Sequence, residues 1–195
     1  MSRLPPLTPD RLNPEQKRVY DNISGDVRRQ KARKHPIIND DGTLIGPFNA
    51  LLYAPGIGDA VQKLGAALRF ESSLPGHLRE LAILMVARRW RANYEWVAHA
   101  PIAAREGLED AVIEAVKAGR TPDAQADVQG VHRFVSELLE TRRVSDETYT
   151  QTRALIGEQG LVELVSLVGY YAIISGLLNG FEVAVPEGEP LPFGA

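Results

Sequence analysis

The sequence predicts an all-α fold built round a central helical hairpin, with an irregular N-terminal arm. Three observations carry this. From Ile57 onward nearly every segment repeats its apolar residues at spacings of three and four, the period of one helix face. No stretch alternates apolar and polar residues over the length of a strand. The periodic segments are also divided by Gly and Pro, the residues that stop helices.

Taken in order, residues 1–14 hold four prolines, and Pro14 then suits the first turn of a polar helix that opens PEQKRVYDNISGDVRRQKAR. The stretch HPIINDDGTLIGPFNALLYAPG, 35–56, is punctuated by Pro and Gly and reads as an irregular arm over the surface. Helical periodicity then covers 57–70, 75–91, 93–106, 109–118, 122–142, 145–158 and 159–179. Thr121-Pro122-Asp123 reads as an N-cap with proline at the first helical position. Ser145 and Thr148 fall short of a full capping box, although Asp146 and Glu147 suit the dipole of a first turn. Gly107 reads as a C-cap, and Gly160 as the divider between the last two helices.

A chain of 195 residues with 44% hydrophobic and 24% charged side chains is an ordinary globular protein of one domain's length. Its net charge of −3 exerts no general pull on nucleic acid or anionic membrane, and the basic run RRQKARKH at 28–35 reads as a solvated helix end. There is no cysteine, which removes disulfides, thiolate nucleophiles and Cys-ligated zinc. The N-terminus MSRLPPLTPD lacks a signal-peptide core, so a cytoplasmic protein is expected. The uncharged run LVSLVGYYAIISGLLNGF, 164–181, reaches only the lower length limit for a membrane span and is interrupted by Gly, Ser and Asn. Burial in a core or between subunits is its expected fate, with no membrane partner.

The chemistry concentrates in RELAILMVARRWRANYEWVAHAPIAAREGL, 79–108. Glu80 shares a helix stripe with Ile83, Leu84 and Ala87, so its carboxylate faces an apolar side. Burying it costs several kcal/mol unless it is paired, hydrogen-bonded or protonated. On the next helix Glu95, Trp96 and His99 share one face, and Glu95 and His99 form an i,i+4 pair. A neighbouring carboxylate favours the imidazolium, which makes His99 a candidate general acid. An exposed helical ion pair is the bland alternative, and Trp96 by itself reads as core filling. The linker of little more than Arg91-Ala92-Asn93 implies a hairpin that brings His99 to the level of Leu84, one turn from Glu80. His35, His77 and His132 have no ligand spacing with this group, so no metal is expected.

These residues resemble the core of the carboxymuconolactone decarboxylase family, which also includes the AhpD-like alkylhydroperoxidases. The similarity runs through Arg79-Glu80-Leu81-Ala82-Ile83-Leu84, Tyr94-Glu95-Trp96, His99 and Glu106-Gly107-Leu108. GPFNALLYAPGIGDAVQKLGAALRF and ELVSLVGYYAIISGLLNGFEVAVPEG extend it on either side. It implies an AhpD-like domain over 46–188, preceded by an arm and helix at 1–45 and followed by a tail at 189–195. The peroxidase branch carries a CxxC pair before the histidine, and this chain has Ala92 and Glu95 there. The dithiol peroxidase mechanism is therefore excluded.

What remains resembles the decarboxylase branch. The resemblance implies a cofactor-independent lyase that removes CO2 from a small carboxylated lactone, with Glu80, Glu95 and His99 as the acid–base set and His99 as proton donor. Tyr53 is the substrate-side hydroxyl by position in the resemblance, and Trp96 a second substrate contact. A homo-oligomer, a trimer or a pair of trimers, is implied as well. A non-decarboxylating isomerase, hydrolase or small-molecule binder, and a structural oligomerisation module, stay open as alternatives.

Overall fold

The computed structural model describes residues 2–25 and 36–194, so the basic run at 28–35, with His35, lies outside the described residues. Helices dominate: α1 (Pro14–Ser24), α2 (Pro47–Leu52), α3 (Pro55–Phe70), α4 (Gly76–Trp90), α5 (Asn93–Arg105), α6 (Asp110–Ala118), α7 (Ala126–Thr141) and α8 (Asp146–Gly180). Among the described residues the nearest approach to a strand is a single antiparallel bridge between Ile38 and Leu44.

The expected hairpin is present, and α4 is its buried limb. Leu78, Glu80 and every residue from Leu81 to Ala87 are buried, because α4 is covered by α5, α6, α7 and α8. A helix hydrophobic almost all round is the sequence form of such a central position. The turn to α5 is made by Arg91, whose left-handed φ of 52° closes α4, and by Ala92, whose amide returns to the Ala87 carbonyl at 2.8 Å. A small apolar residue fits at Ala92, which is wholly enclosed.

Other boundaries depart from expectation in instructive ways. The stretch 35–56 is less irregular than its punctuation implies, since it contains α2 with Pro47, Asn49, Ala50, Leu51 and Leu52 buried. Asn49 explains this: its amide donates to the Pro5 carbonyl and accepts from the Leu7 amide, both at 3.0 Å. Leu51 and Leu52 join Val19, Ile23, Ile37 and Leu44 in a second small core beneath α1.

Helix α7 starts at Ala126 rather than at Pro122. Pro122 is buried and Ala124 packs on the main core in non-helical chain, while the Asp127 carboxylate ties the first turn to His77 at 3.0 Å. The last two expected helices form one run, broken at Gly157 (φ 71°, ψ 174°) and not at Gly160. That backbone conformation is essentially restricted to glycine, whereas Gly160 is helical and buried. Ser145 caps α8 by accepting from the Thr148 amide at 3.3 Å, and the missing half of the box comes from α7, where Glu137 accepts from the Ser145 amide at 2.7 Å.

The uncharged run 164–181 lies mostly in α8, where half of the most apolar 18-residue window is buried against the bundle. Its inner face, Leu164, Leu167, Tyr171, Ile174 and Leu178, is core. Beyond it the tail folds back along the hairpin turn: Asn93 donates to the Gly194 carbonyl at 2.8 Å and accepts from the Phe193 amide at 2.9 Å.

Candidate functional site

His99 sits on the inner face of α5, 5% exposed, and is clamped from both sides. Its Nδ1 lies 2.6 Å from Oε2 of Glu80 across the hairpin, and its Nε2 lies 3.2 Å from Oε1 of Glu95 one turn earlier on α5. Glu80 is 1% exposed and Glu95 4%. An ionised carboxylate only accepts hydrogen bonds, so a charged carboxylate at each nitrogen calls for a proton on both.

The electrostatics agree with that reading. Burial opposes the charge on His99, but the Glu80 and Glu95 carboxylates outweigh it and raise its pKa. Burial likewise opposes ionisation of Glu80, yet the His99 cation, with Arg69 and Arg79 nearby, leaves its pKa below the ordinary carboxylate value. Arg79 Nε stands 3.8 Å from Glu80 and its Nη2 3.9 Å from Glu106, a supporting cation on the far side of Glu80.

A cavity of about 60 Å³ opens beside the clamp. Glu95 and His99 line it, whereas Glu80 stands behind the histidine. Pro47, Phe48, Ala98, Ile102 and Ile174 give it apolar walls, Pro36 and Ile37 close one side, and Pro186 from the tail contributes to its rim. Its polar lining is completed by Arg69, Tyr94, Tyr170 and Tyr171. The Tyr171 hydroxyl is 3.5 Å from His99 Nε2 and the two rings meet edge to face at 5.2 Å. Burial holds the Tyr171 phenol well above its ordinary pKa, so it stays a neutral O–H.

The structure therefore joins three of the five expected residues and separates two. Tyr53 turns outward at the end of α2, 40% exposed, and donates its hydroxyl to the Pro5 carbonyl at 2.7 Å. Trp96 is core: 5% exposed, its ring meets Phe193 edge-on at 5.3 Å. Neither lines the cavity. A single ion held jointly by Glu80, Glu95 and His99 has no place either, because the two carboxylates take opposite nitrogens of one ring. Among the described residues no other group of three or more metal-ligating side chains converges.

Sequence reasoning missed Arg69, Tyr170 and Tyr171. For Arg69 a signal existed, since Gly58, Gln62, Gly65 and Arg69 recur at helical spacing and the first three are buried. Gly65 has a specific reason to lack a side chain, as a Cβ there would fall 2.0 Å from the Tyr170 hydroxyl.

No family model matches the chain, and no curated protein matches it. Solved structures do. An uncharacterised peroxidase-related protein from Ralstonia eutropha JMP134, with an alkylhydroperoxidase AhpD core, superposes with a TM-score of 0.74 at 14% identity, covering 98% of this chain and 94% of that one. Debrominase Bmp8, solved as a cysteine-to-alanine variant with 2,3,4-tribromopyrrole, gives 0.67 at 13% identity, covering 98% and 96%. A candidate AhpD antioxidant-defence protein of unknown function from Agrobacterium tumefaciens gives 0.63 at 16% identity, covering 71% and 96%. The fold is AhpD-like. At these identities the likeness speaks for the fold alone, and the fold is shared by a peroxidase-related protein and a debrominase.

Proposed function

We propose that this protein is a cofactor-independent acid–base enzyme, a carboxy-lyase that removes CO2 from a small carboxylated lactone. The observation that carries the reading is the clamped His99 at the edge of a largely apolar cavity. Glu80 fixes the Nδ1 side, so the Nε2 proton, shared with Glu95, is the one a ligand can reach.

Each part has a task. The apolar walls strip water from the departing carboxylate. As the carbon–carbon bond breaks, its electron pair passes into the ring and onto the lactone carbonyl, so the substrate is its own electron sink. His99 then donates the Nε2 proton to the ring carbon and becomes neutral, and Glu95 guides a solvent proton back to it. Acid–base help of this kind is typically worth about 10²–10⁴ in rate. Glu80 is a positioning residue that holds the ring and favours its charged form. With no cysteine, thiol chemistry is not available to this chain.

We also propose a cytoplasmic homo-oligomer, a trimer or hexamer, that covers the outer stripe of α8, where Val162, Val165 and Ile173 stand exposed. The activity is tested with metal-stripped protein and γ-carboxymuconolactone, following substrate loss and CO2 release. Turnover that disappears in His99→Ala is the expected result. A folded wild type that leaves the lactone untouched refutes the assignment.

A further inference from the structure

Arg69 is not explained by the fold. It closes the buried stripe of α3, is partly buried itself, and reaches the cavity wall among Tyr94, Tyr170 and Tyr171. Burial opposes its charge, but Tyr171, Glu80 and Glu95 outweigh that and favour the cationic form further. Yet both carboxylates take their ion-pair contacts within 4 Å from His99, and Glu80 also from Arg79. Among the described residues the guanidinium makes no hydrogen bond or close ion pair, and it lies over the ring of its neighbour Phe70, 5.4 Å from the centroid. A place in the last turn of α3 suits the helix dipole but uses none of its N–H donors.

An arginine presents five donors in a rigid planar fork, a shape that matches a carboxylate. Leaving such a fork unspent in a cavity with apolar walls is costly unless a ligand completes it. Building on the acid–base reading of the same cavity, we infer that Arg69 is the seat for a ligand carboxylate, and that this carboxylate is one the reaction leaves in place. The second half follows from the chemistry. Pairing the departing carboxylate with a guanidinium stabilises the ground state more than a transition state in which that charge has moved into the ring. Arg69 and the Glu95–His99 pair thus form two poles of the cavity, one holding the ligand and the other handling its proton. Small rings with a retained carboxylate fit this arrangement, and uncharged rings of the same shape do not.

The test is a binding experiment that needs no turnover. Furan-2-carboxylate and furan-2-carboxamide, equal in size and differing in charge, are titrated calorimetrically into the wild type, Arg69→Gln, Arg69→Lys and His99→Ala, with circular dichroism melts to confirm folding. The wild type is expected to prefer the carboxylate by on the order of tenfold or more, as a charge-assisted bidentate pair implies. Arg69→Gln should erase the preference, Arg69→Lys restore part of it, and His99→Ala keep it. Equal binding of the two probes by the wild type, no carboxylate binding at millimolar concentration, or a preference that survives Arg69→Gln overturns the inference. Loss of the preference in Arg69→Gln, in a protein that never decarboxylates the lactone, upholds the seat and sinks the lyase. Turnover without any carboxylate preference does the reverse.

Discussion

Replacing Glu80 by Gln probes the clamp with almost no change of shape. The amide keeps an oxygen for His99 Nδ1 at the observed 2.6 Å but removes the negative charge, at a residue only 1% exposed. Breaking one side of a buried ion pair typically costs about 3–5 kcal/mol, because the remaining charge stays buried without compensation. Arg79 loses one of its two carboxylate neighbours at the same time. For a chain of this size about 3 kcal/mol is roughly 6–12 °C in Tm.

The effect must also depend on pH, with a definite sign. Glu80 has a lowered pKa, so its contribution is present above its ordinary value of 4.5 and fades as pH falls through the folded value. His99 has a raised pKa, so its contribution is full below 6.5 and fades as pH rises through the folded value. The gap between wild type and Glu80→Gln should therefore be widest between pH 4.5 and 6.5 and close on both sides. Urea denaturation at fixed protomer concentration across that range measures it. A gap under about 1 kcal/mol, or one that ignores pH, refutes the clamp as an ion-paired device.

Other perturbations have their own outcomes. Glu95→Gln should lower activity by about 10²–10⁴ while costing less stability than Glu80→Gln, because Glu95 borders the cavity; steady-state kinetics beside a melt checks both. Asp59, its pKa drawn down to about 2 by Lys63, Gln62 and Asn22, joins α3 to α1, and Asp59→Ala should cost about 1–3 kcal/mol in chemical denaturation without changing kcat. Gly65→Ala drives a methyl into Tyr170 and should lose about 1–3 kcal/mol along with ligand binding; an unchanged melt and unchanged affinity contradict the contact. Sedimentation should show a trimer or hexamer that Val165→Asp weakens, and a monomeric wild type contradicts the assignment of the α8 stripe.

The sequence was most legible where local rules act alone. The hairpin follows from its short linker, and its limbs end within a residue or so of the expected 75–91 and 93–106, at Gly76–Trp90 and Asn93–Arg105. That is why spacing alone brings His99 within a turn of Glu80, although their direct contact at 2.6 Å goes beyond what spacing fixes. Reading failed where distant residues decide. Pro122 looks like a helix start, but tertiary packing of Pro122 and Ala124 holds that chain extended until Ala126. Gly160 and Gly157 look alike as letters, and only the backbone angles show which one breaks α8. Tyr53 was placed by resemblance, and its hydroxyl is instead spent on Pro5, 48 residues away. Arg69 and Tyr171 reach the cavity from α3 and α8, an approach that no pattern within 79–108 contains.

His99 is expected to hold a proton on each nitrogen, with the cavity-side proton available to a ligand. Nitrogen-15 NMR of histidine-labelled protein near neutral pH tests it most directly, with His99→Ala to assign the resonance. Two protonated ring nitrogens that persist above the ordinary histidine range, and a titration that moves down in Glu95→Gln, are the predicted result. A neutral His99 ring at neutral pH, or a titration indifferent to Glu95, would rule out the doubly clamped imidazolium as proton donor.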